Sequence, residues 1–377
     1  MLNYLSQKIK SIDIVLSVSI LFILLSGLLT MSSFESNDQY FYKQSFWMCI
    51  SLFVFYLSSK IDFRFLKSSN TVVSIYSLML GILSLLFILG KVSKGAQSWF
   101  SFGGFSFQPS DLMKLVLIIV LAKYFSRRHS EIANIRHIIV SGVYTIIPFI
   151  LVLLQPDLGS AMVLFFIWLG MVLVSGISKK HLLAVFLIGL VIFTLSWKLV
   201  FKPYQKARIM NFIYPLADTR GTGYNAYQAT IAVGSGGLFG KGIGYGTQSR
   251  LNFLPEYKTD FIFAAYAEEW GFIGSVFLFI FYFLILYKLA RFATVAHSNF
   301  ESLFAYGVII WFLTHIVINI GMNVGLMPIT GIPLPLMSYG GSHLLAECLA
   351  LGMALGMYRY ARVAHRNKMG NEFLGLE

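Results

Sequence analysis

Long apolar runs separated by short polar segments extend along the whole chain. A helix needs about 20 apolar residues to cross the hydrocarbon core of a bilayer. By this measure we predict ten spans, at about 12–31, 44–60, 71–91, 110–126, 138–154, 159–176, 182–200, 261–288, 302–322 and 343–362. No small-residue cleavage site follows the first run, so we expect a retained span rather than a signal peptide. The pattern predicts an all-α polytopic membrane protein, with residues 1–377 in a single integral membrane domain.

The composition agrees with this architecture. Of the 377 residues, 57% are hydrophobic and only 12% are charged, which is about half the charged fraction of an ordinary soluble domain. These values exclude a soluble enzyme, a disordered tail protein and a nucleic-acid-binding domain. Cys49 and Cys348 both lie inside apolar runs, so neither a disulfide framework nor a cysteine metal site is expected.

The distribution of basic residues predicts the orientation. The chain has 29 Lys and Arg against 16 Asp and Glu, a formal net charge of +13. With the N-terminus inside, most basic residues of the short loops face the cytoplasm, whereas the short outer loops hold only Lys43, Lys91 and Lys94. This asymmetry favours cytoplasmic N- and C-termini.

One outer loop, of about 60 residues between spans seven and eight, is long and basic. Its cations are Lys202, Lys206, Arg208, Arg220, Lys241, Arg250 and Lys258. Long loops can be translocated despite positive charge, so the predicted orientation stands. The loop charge favours either simple solubility or a binding site for an anionic ligand near the membrane, and both interpretations stay open.

The same loop contains a glycine-rich stretch, GSGGLFGKGIGYG, at 234–246. It does not fit the phosphate-binding Walker pattern, because Lys241 is followed by Gly242, and no β-strand precedes it as a dinucleotide fingerprint requires. A tightly turned loop that needs positive φ angles is one interpretation. Backbone amides that bind a phosphate are the other.

Several acidic residues lie at or inside the predicted spans. Asp260, at the start of span eight, either caps the helix together with Thr259 or acts as a general base at the membrane surface. Glu268 and Glu269 lie two to three turns deeper, where acids are usually paired or line a polar cavity.

Two helix starts begin with Gln-Pro, at 108–111 (QPSD) and 155–159 (QPDLG). Proline in the first turn and Asp or Ser at the cap give both motifs a structural explanation. Lys114 follows Asp111 by three residues inside a span, so we predict an Asp111–Lys114 pair that faces a hydrophilic cavity.

Two further stretches are unusual for spans or plain loops. The aromatic stretch 95–107 favours an interfacial aromatic belt or, alternatively, a short re-entrant segment that grips a lipid tail. The uncharged stretch 328–342, PITGIPLPLMSYGGS, has no helical pattern, and irregular backbone at this depth must be buried in protein or line a cavity.

Taken in order, these motifs resemble the SEDS family (shape, elongation, division and sporulation) of bacterial cell-wall membrane proteins across nearly the whole chain. The residues that carry the resemblance are QPSD at 108–111, QPDLG at 155–159, Arg208, YQ at 227–228, GSGGLFGKG at 234–242, LPEYKTDFIFA at 254–264 and PLPLMSYGGS at 333–342. The NFLPE and GIPLPLMSYGGS wordings and the short termini resemble the elongation type more than the division type.

The resemblance implies a peptidoglycan glycosyltransferase in the bacterial cytoplasmic membrane that polymerises lipid II on the extracytoplasmic side. It also implies a class B penicillin-binding protein as partner. A divalent cation, Mg²⁺ or Mn²⁺, would help to neutralise the pyrophosphate of lipid II. However, the Asp, Glu and His residues show no convincing ligand spacing, and His315 and His343 are interpreted as packing or helix-end residues.

The resemblance places the family's presumed catalytic aspartate on Asp260, its outer-loop tryptophan on Trp99 and its span-four lysine on Lys114. The candidate substrate-binding residues are Arg208, Lys114, Asp111, Trp99, Asp157, Lys258, Glu256, Tyr227 and Gln228. Two positions depart from the family pattern, because Ser98 replaces an arginine and Asp111 replaces a glutamate. The alternatives to a polymerase are a lipid II flippase and a scaffold without catalytic activity.

Overall fold

A computed structural model describes residues 13–33, 39–93, 96–102, 105–127, 135–199, 201–214, 223–251, 253–254 and 256–374. Arg220, one of the predicted loop cations, lies outside these ranges. The described chain is mostly helical. Its helices are α1 Ile14–Ser32, α2 Gln39–Ser58, α3 Ser69–Leu89, α4 Pro109–Ser126, α5 Ile135–Leu154, α6 Leu158–Val174, α7 Lys179–Leu199, α8 Pro203–Ile213, α9 Tyr224–Ser235, α10 Thr247–Arg250, α11 Ile262–Val295, α12 Asn299–Asn323 and α13 Gly341–Leu374, with a 3₁₀ turn at Phe63–Lys67.

Every predicted apolar run coincides with a helix, so the prediction of a polytopic helical protein is confirmed. Helices α1, α3, α5, α7, α11 and α12 are long and apolar enough to cross a membrane, and α6 is a shorter apolar helix. The predicted ends agree with the observed ends to within a few residues, except that α11 and α13 continue beyond theirs.

The stretch after α3 differs from the all-α prediction, because it forms a small antiparallel sheet of three strands in the order β1-β2-β3. The strands are β1 Lys91–Ser93, β2 Ala96–Phe102 and β3 Phe105–Phe107. Buried Ser98 and Phe100 share one face of β2, whereas Ser101 is exposed. This period-two pattern of Phe and Ser is a strand signal that the aromatic-belt interpretation overlooked.

The predicted outer loop is folded rather than irregular, since it contains α8, α9 and α10. Helix α9 packs against α11, and Ala229 and Ala232 of α9 form a second apolar core with Leu254, Tyr257 and Phe261. Helix α7, by contrast, has no buried side chain among those that the structure describes. The part of the loop nearest α11 is therefore held firmly against the bundle.

Helix α4 lies at the centre of the bundle and is buried on nearly every side. Helices that are apolar all round occupy such positions. Around it, α2 and α13 approach closely because small residues line their contact, and a side-chain carbon at Gly352 would overlap Ser58 Oγ. Close approach through small residues is the usual way in which helices pack in membranes, where apolar burial alone gives little preference for helix over lipid.

The Gly352→Ala substitution is expected to destabilise the protein by about 1–3 kcal/mol, the usual cost of overpacking. The added methyl group would overlap the α2 backbone at Phe55 as well as Ser58. Thermal unfolding in detergent measures the effect. The matched control is Gly81→Ala on α3, where no heavy atom lies within 4 Å of the added carbon. The control is expected to keep or slightly raise the midpoint, because alanine favours helix. Equal shifts in the two variants would contradict the packing argument.

Candidate active site

Asp260 lies immediately before α11, and its side chain is half-buried. The interpretation of Asp260 or Thr259 as the cap of this helix is wrong, because the N-cap position is Phe261. The first-turn amide of Ala264 instead donates to the Asn323 side-chain oxygen at 3.1 Å. The Asn323 side chain of a neighbouring helix therefore satisfies this amide in place of an N-cap side chain.

Two buried asparagines of α12 hold the backbone of Asp260. Asn319 Nδ2 donates to the Asp260 carbonyl oxygen at 3.0 Å and to the Ile332 carbonyl oxygen at 2.8 Å. Asn323 Nδ2 also donates to the Asp260 carbonyl oxygen, at 3.2 Å. Neither asparagine was predicted to belong to the site. Their signal is a pair of amide side chains one turn apart in an apolar span, on the face that meets α11.

Residues 328–340 form an irregular segment, here called the outer segment, that lies against the same backbone. Ser338 Oγ donates to the Thr259 carbonyl oxygen at 2.7 Å, and the Tyr339 amide donates to the Lys258 carbonyl oxygen at 2.9 Å. Ile332 and the stretch 334–338 are buried. The prediction that this stretch is buried in protein is therefore confirmed.

Within the outer segment, Gly331 lies beside the Asp260 carboxylate. Its φ is +75°, a conformation that residues with a side chain rarely adopt. A carbon added at Gly331 would lie 3.6 Å from Asp260 Oδ2. Because Gly331 has no side chain, a small space remains next to the Asp260 carboxylate.

The neighbours of Asp260 in sequence are also held in place. Lys258 Nζ lies 3.8 Å from the centre of the Tyr40 ring, in cation–π geometry. Glu256 accepts a hydrogen bond of 2.9 Å from Thr259 Oγ1. Tyr339 packs edge-on against Tyr40. Burial is the main cause that raises the pKa of the Tyr339 phenol, so Tyr339 stays neutral. The Asp260 carboxylate and the Lys258 cation thus lie two residues apart in the chain, on a loop that these contacts hold in place.

The predicted Asp111–Lys114 pair is confirmed, with Lys114 Nζ 2.9 Å from Asp111 Oδ1. Ser342 Oγ donates to the second Asp111 oxygen at 2.9 Å. The side chains of Lys114 and Asp111 are only 2% and 4% exposed, so the expectation that the pair faces a hydrophilic cavity is wrong, and in this conformation neither side chain is open to a substrate. The pair instead connects α4 to the start of α13, directly after the outer segment.

Asp157 has the structural role that its motif predicted. It caps α6 by accepting the Ser160 amide at 3.0 Å, and it accepts Gln108 Nε2 at 2.7 Å. The two Gln-Pro motifs are therefore joined to each other. Gly159 of the second motif approaches the Thr330 carbonyl oxygen so closely that a side-chain carbon there would lie 2.7 Å away.

The glycine-rich stretch is a tightly turned loop, as one of the two interpretations predicted, with positive φ at Gly237, Gly240, Gly242 and Gly244. Its amides bind α11: Lys241 and Gly242 donate to the carbonyl oxygens of Glu268 and Glu269, both at 3.0 Å. The Gly244 amide donates to Glu269 Oε1 at 2.6 Å. These three amides are occupied by the protein itself, which removes the phosphate interpretation for them.

Of the two acids inside span eight, Glu268 is paired with a cation, as expected for the membrane interior, whereas Glu269 accepts the Gly244 amide. Lys241 Nζ lies 2.7 Å from Glu268 Oε1, and Glu268 is fully buried. The contact fastens the glycine-rich loop to α11 near Gly271, where the helix is kinked. Glu268 and Glu269 thus serve the attachment of the outer loop.

The remaining candidate residues lie on β2, α8 and α9. Trp99 is a half-buried residue of β2, Gln228 is half-buried on α9, and Tyr227 beside it is 39% exposed. Arg208 is exposed on α8. None of these four side chains is fully buried.

Comparison with known proteins agrees with this architecture. The family model FTSW_RODA_SPOVE, described as "Cell cycle protein", matches residues 8–363. Stage V sporulation protein E of Bacillus subtilis (strain 168) is 33% identical over 368 residues, covering 95% of this chain and 100% of that protein. Peptidoglycan glycosyltransferase MrdB of Escherichia coli (strain K12) is 36% identical over 279 residues, covering 74% of this chain and 75% of that protein.

A solved structure shares the fold. It concerns polymerization and crosslinking by a peptidoglycan synthase complex, and one of its chains matches with a TM-score of 0.80 and 31% identity. The match covers 92% of this chain and 97% of that chain. Sequence identity does not separate the elongation type from the other types, because differently named relatives match about equally well. The chain is a multi-pass membrane protein that belongs to the FTSW_RODA_SPOVE family, the SEDS family that its motifs resemble.

Proposed function

We propose that this protein polymerises lipid II into glycan strands during cell elongation and that Asp260 is the general base. The observation that carries the proposal is the placement of Asp260, a half-buried carboxylate on a backbone that two buried asparagines hold rigidly. The relative MrdB is named a peptidoglycan glycosyltransferase, which supports the reaction class. The elongation role rests on the motif wording alone.

The reaction needs a base and a stabilised leaving group. The 4-hydroxyl of the acceptor sugar attacks the anomeric carbon of the donor, the glycosidic bond forms, and the bond to undecaprenyl pyrophosphate breaks. Asp260 takes the proton of the attacking hydroxyl as the new bond forms. Lys258 and Arg208 stabilise the pyrophosphate that leaves, through charge-assisted hydrogen bonds.

Rigid placement of the base is part of the catalytic argument. A base lowers the barrier only when it is held within hydrogen-bond reach of the proton that it removes. The Asn319 side-chain amide donates to the carbonyl oxygens of both Asp260 and Ile332. It therefore holds the backbone of Asp260 in place relative to the outer segment. Gly331 leaves room beside Asp260 Oδ2 for the acceptor hydroxyl.

The membrane arrangement is also part of the proposal. With ten spans and cytoplasmic termini, residues 201–260 face the extracytoplasmic side of the bacterial inner membrane, where lipid II is consumed. The other proposed substrate contacts are Trp99, Tyr227, Gln228 and Glu256. Mg²⁺ or Mn²⁺ would enter as a partner of the pyrophosphate rather than as a resident ion.

The flippase alternative loses its main support in the structure. Transporters place charged residues along the substrate path, but here Lys114 pairs with Asp111 and Glu268 pairs with Lys241. These charges connect structural elements within the bundle. Turnover of labelled lipid II by the purified protein, without ATP or an ion gradient, separates the functions, because only a polymerase makes glycan polymer.

Asp260→Asn is expected to lower polymerisation by about 10²-fold or more, the scale on which general bases contribute. The amide keeps the shape of the side chain but cannot accept the proton. Gel analysis of polymer made from labelled lipid II measures the loss, and thermal unfolding verifies that the variant is folded. The matched control is Asp62→Asn, the same change at the half-buried cap of the 3₁₀ turn Phe63–Lys67, which should retain activity. Near-normal polymer from Asp260→Asn would refute the assignment of the base.

Arg208→Ala is expected to lower activity more than Lys206→Ala. A planar guanidinium can bind two phosphate oxygens at once, whereas Lys206 Nζ lies 5.9 Å from the centre of the Trp197 ring and packs on α7. The initial rate of lipid II turnover, measured over a range of salt concentrations, compares the two. Small and equal losses would show that neither cation has a specific role.

The proposed partner is a single-span class B penicillin-binding protein that crosslinks the new strands. The matching structure of a synthase complex for polymerization and crosslinking supports a partner of this kind. We expect the two proteins to co-purify from detergent and the partner to raise the polymerisation rate. An unrelated single-span membrane protein is the control. Purification of the chain alone, with a rate that the added partner leaves unchanged, would count against the pairing.

A further inference from the structure

Three metal-ligating side chains meet inside the bundle, away from the Asp260 carboxylate. His315 of α12 and His343 and Glu347 of α13 are all buried, and their ligand atoms lie within 4.8 Å of one another. The two imidazole rings stack with their centres 5.0 Å apart. The interpretation of both histidines as packing or helix-end residues did not foresee this cluster, because 28 residues separate them in the sequence while the helices bring them together.

The hydrogen bonds of His315 leave one nitrogen bare. Its Nδ1 lies 3.0 Å from the Pro333 carbonyl oxygen, which can only accept, so Nδ1 carries the hydrogen. His315 Nε2 therefore carries a lone pair and no hydrogen, and it is buried without a hydrogen-bond partner. Histidines that bind metals commonly have this arrangement, in which a backbone carbonyl holds the other ring nitrogen.

The second histidine and the glutamate point to the same conclusion. His343 Nε2 and Glu347 Oε1 are 2.8 Å apart but do not align as a hydrogen bond, and both atoms lack a hydrogen-bond partner. In the tautomer whose hydrogen is on Nδ1, His343 Nε2 is an acceptor, and two acceptors 2.8 Å apart repel each other unless a proton or a cation lies between them. A proton on His343 Nε2 would relieve the repulsion with Glu347 Oε1 but would leave His315 Nε2 without a partner. One metal cation could bind all three atoms, His315 Nε2, His343 Nε2 and Glu347 Oε1.

The charges of the surroundings also call for a cation. Lys114 already neutralises Asp111, with 2.9 Å between their charged atoms. Glu347 is left with the Leu336 amide, which donates to its Oε2 at 2.8 Å. An ionised carboxylate that is fully buried normally needs a paired charge or a metal.

We propose that His315, His343 and Glu347 bind a Zn²⁺ ion. Two histidines and one glutamate are an established set of three zinc ligands, with bonds of about 2.0–2.2 Å and a water molecule as the fourth ligand. Ligand atoms of a tetrahedral site lie about 3.4 Å apart at that bond length, so side-chain rotations that move each atom by less than about 1 Å would close the site. The Pro333 carbonyl oxygen holds the His315 ring from behind. Asp111 Oδ1 lies 3.7 Å from His343 Nδ1, so a small rotation of the ring would bring the two within hydrogen-bond distance.

The ion would tie α12 to α13 beneath the outer segment. Pro333 and Leu336, which bond to His315 and Glu347, both belong to that segment. The segment in turn contacts the backbone of residues 258–260. The zinc would therefore be structural, and it would stabilise the support of Asp260 without touching the substrate.

The test is the metal content of the full-length protein, produced with Zn²⁺ supplied, purified in detergent and freed of any histidine tag. We expect about one Zn²⁺ per chain, and visible d–d absorption when Co²⁺ replaces zinc during growth. Glu347→Gln, which keeps the size of the side chain, should lower the bound metal by about 10-fold or more. The matched control is His137→Gln, a buried histidine on α5 that contacts Tyr124 and lies outside the cluster. It should keep the metal.

Other outcomes would overturn the proposal. Wild-type protein without zinc or the cobalt signal would mean that a proton on His343 balances Glu347. Metal that persists equally in Glu347→Gln and His137→Gln would be an adventitious ion only. If Glu347→Gln does not fold, His315→Gln tests the same ligand set, because it removes the bare nitrogen and leaves the carboxylate. The wild-type metal content decides the question even if both variants fail.

Discussion

The arrangement of the site depends on one buried side-chain amide. Asn319 donates to the carbonyl oxygens of both Asp260 and Ile332, and its contact with Ile332 is buried. An unsatisfied buried carbonyl would cost about 1–3 kcal/mol. Irregular backbone survives within a membrane bundle only when the protein supplies such partners. The loop that carries the carboxylate and the outer segment that lies beside it are therefore held by the same residue of α12.

The same constraint explains where the charges of this protein lie. Charged groups that the structure describes within the bundle contact a second element: Asp111 and Lys114 join α4 to α13, and Glu268 joins α11 to the glycine-rich loop through Lys241. Because an unpaired charge is costly in the membrane, these contacts are strong restraints on the outer parts of the chain. The glycine-rich loop and the outer segment are thus held in place by charged and amide side chains of the helices that they contact.

This construction separates two kinds of polar residue that look alike in the sequence. Asp157 and Glu269 accept hydrogen bonds from the protein's own backbone, and they serve its folding. Asp260 is different, because its backbone is held from below while its half-buried carboxylate lies next to a glycine. This placement is the reason for which we propose Asp260 as the general base.

The sequence by itself determined the helical architecture, because apolar runs of this length have few stable alternatives to a membrane helix. It also predicted the Asp111–Lys114 pair and the turned glycine-rich loop, since both follow from local spacing. It did not predict the strands around Trp99, whose short alternating pattern lay within a run of aromatic residues. Only the tertiary structure decided that Asn319 and Asn323 hold Asp260, and that His315 lies beside His343 and Glu347. These contacts join residues far apart in the chain, and a local pattern has no means of encoding which faces of separate helices meet.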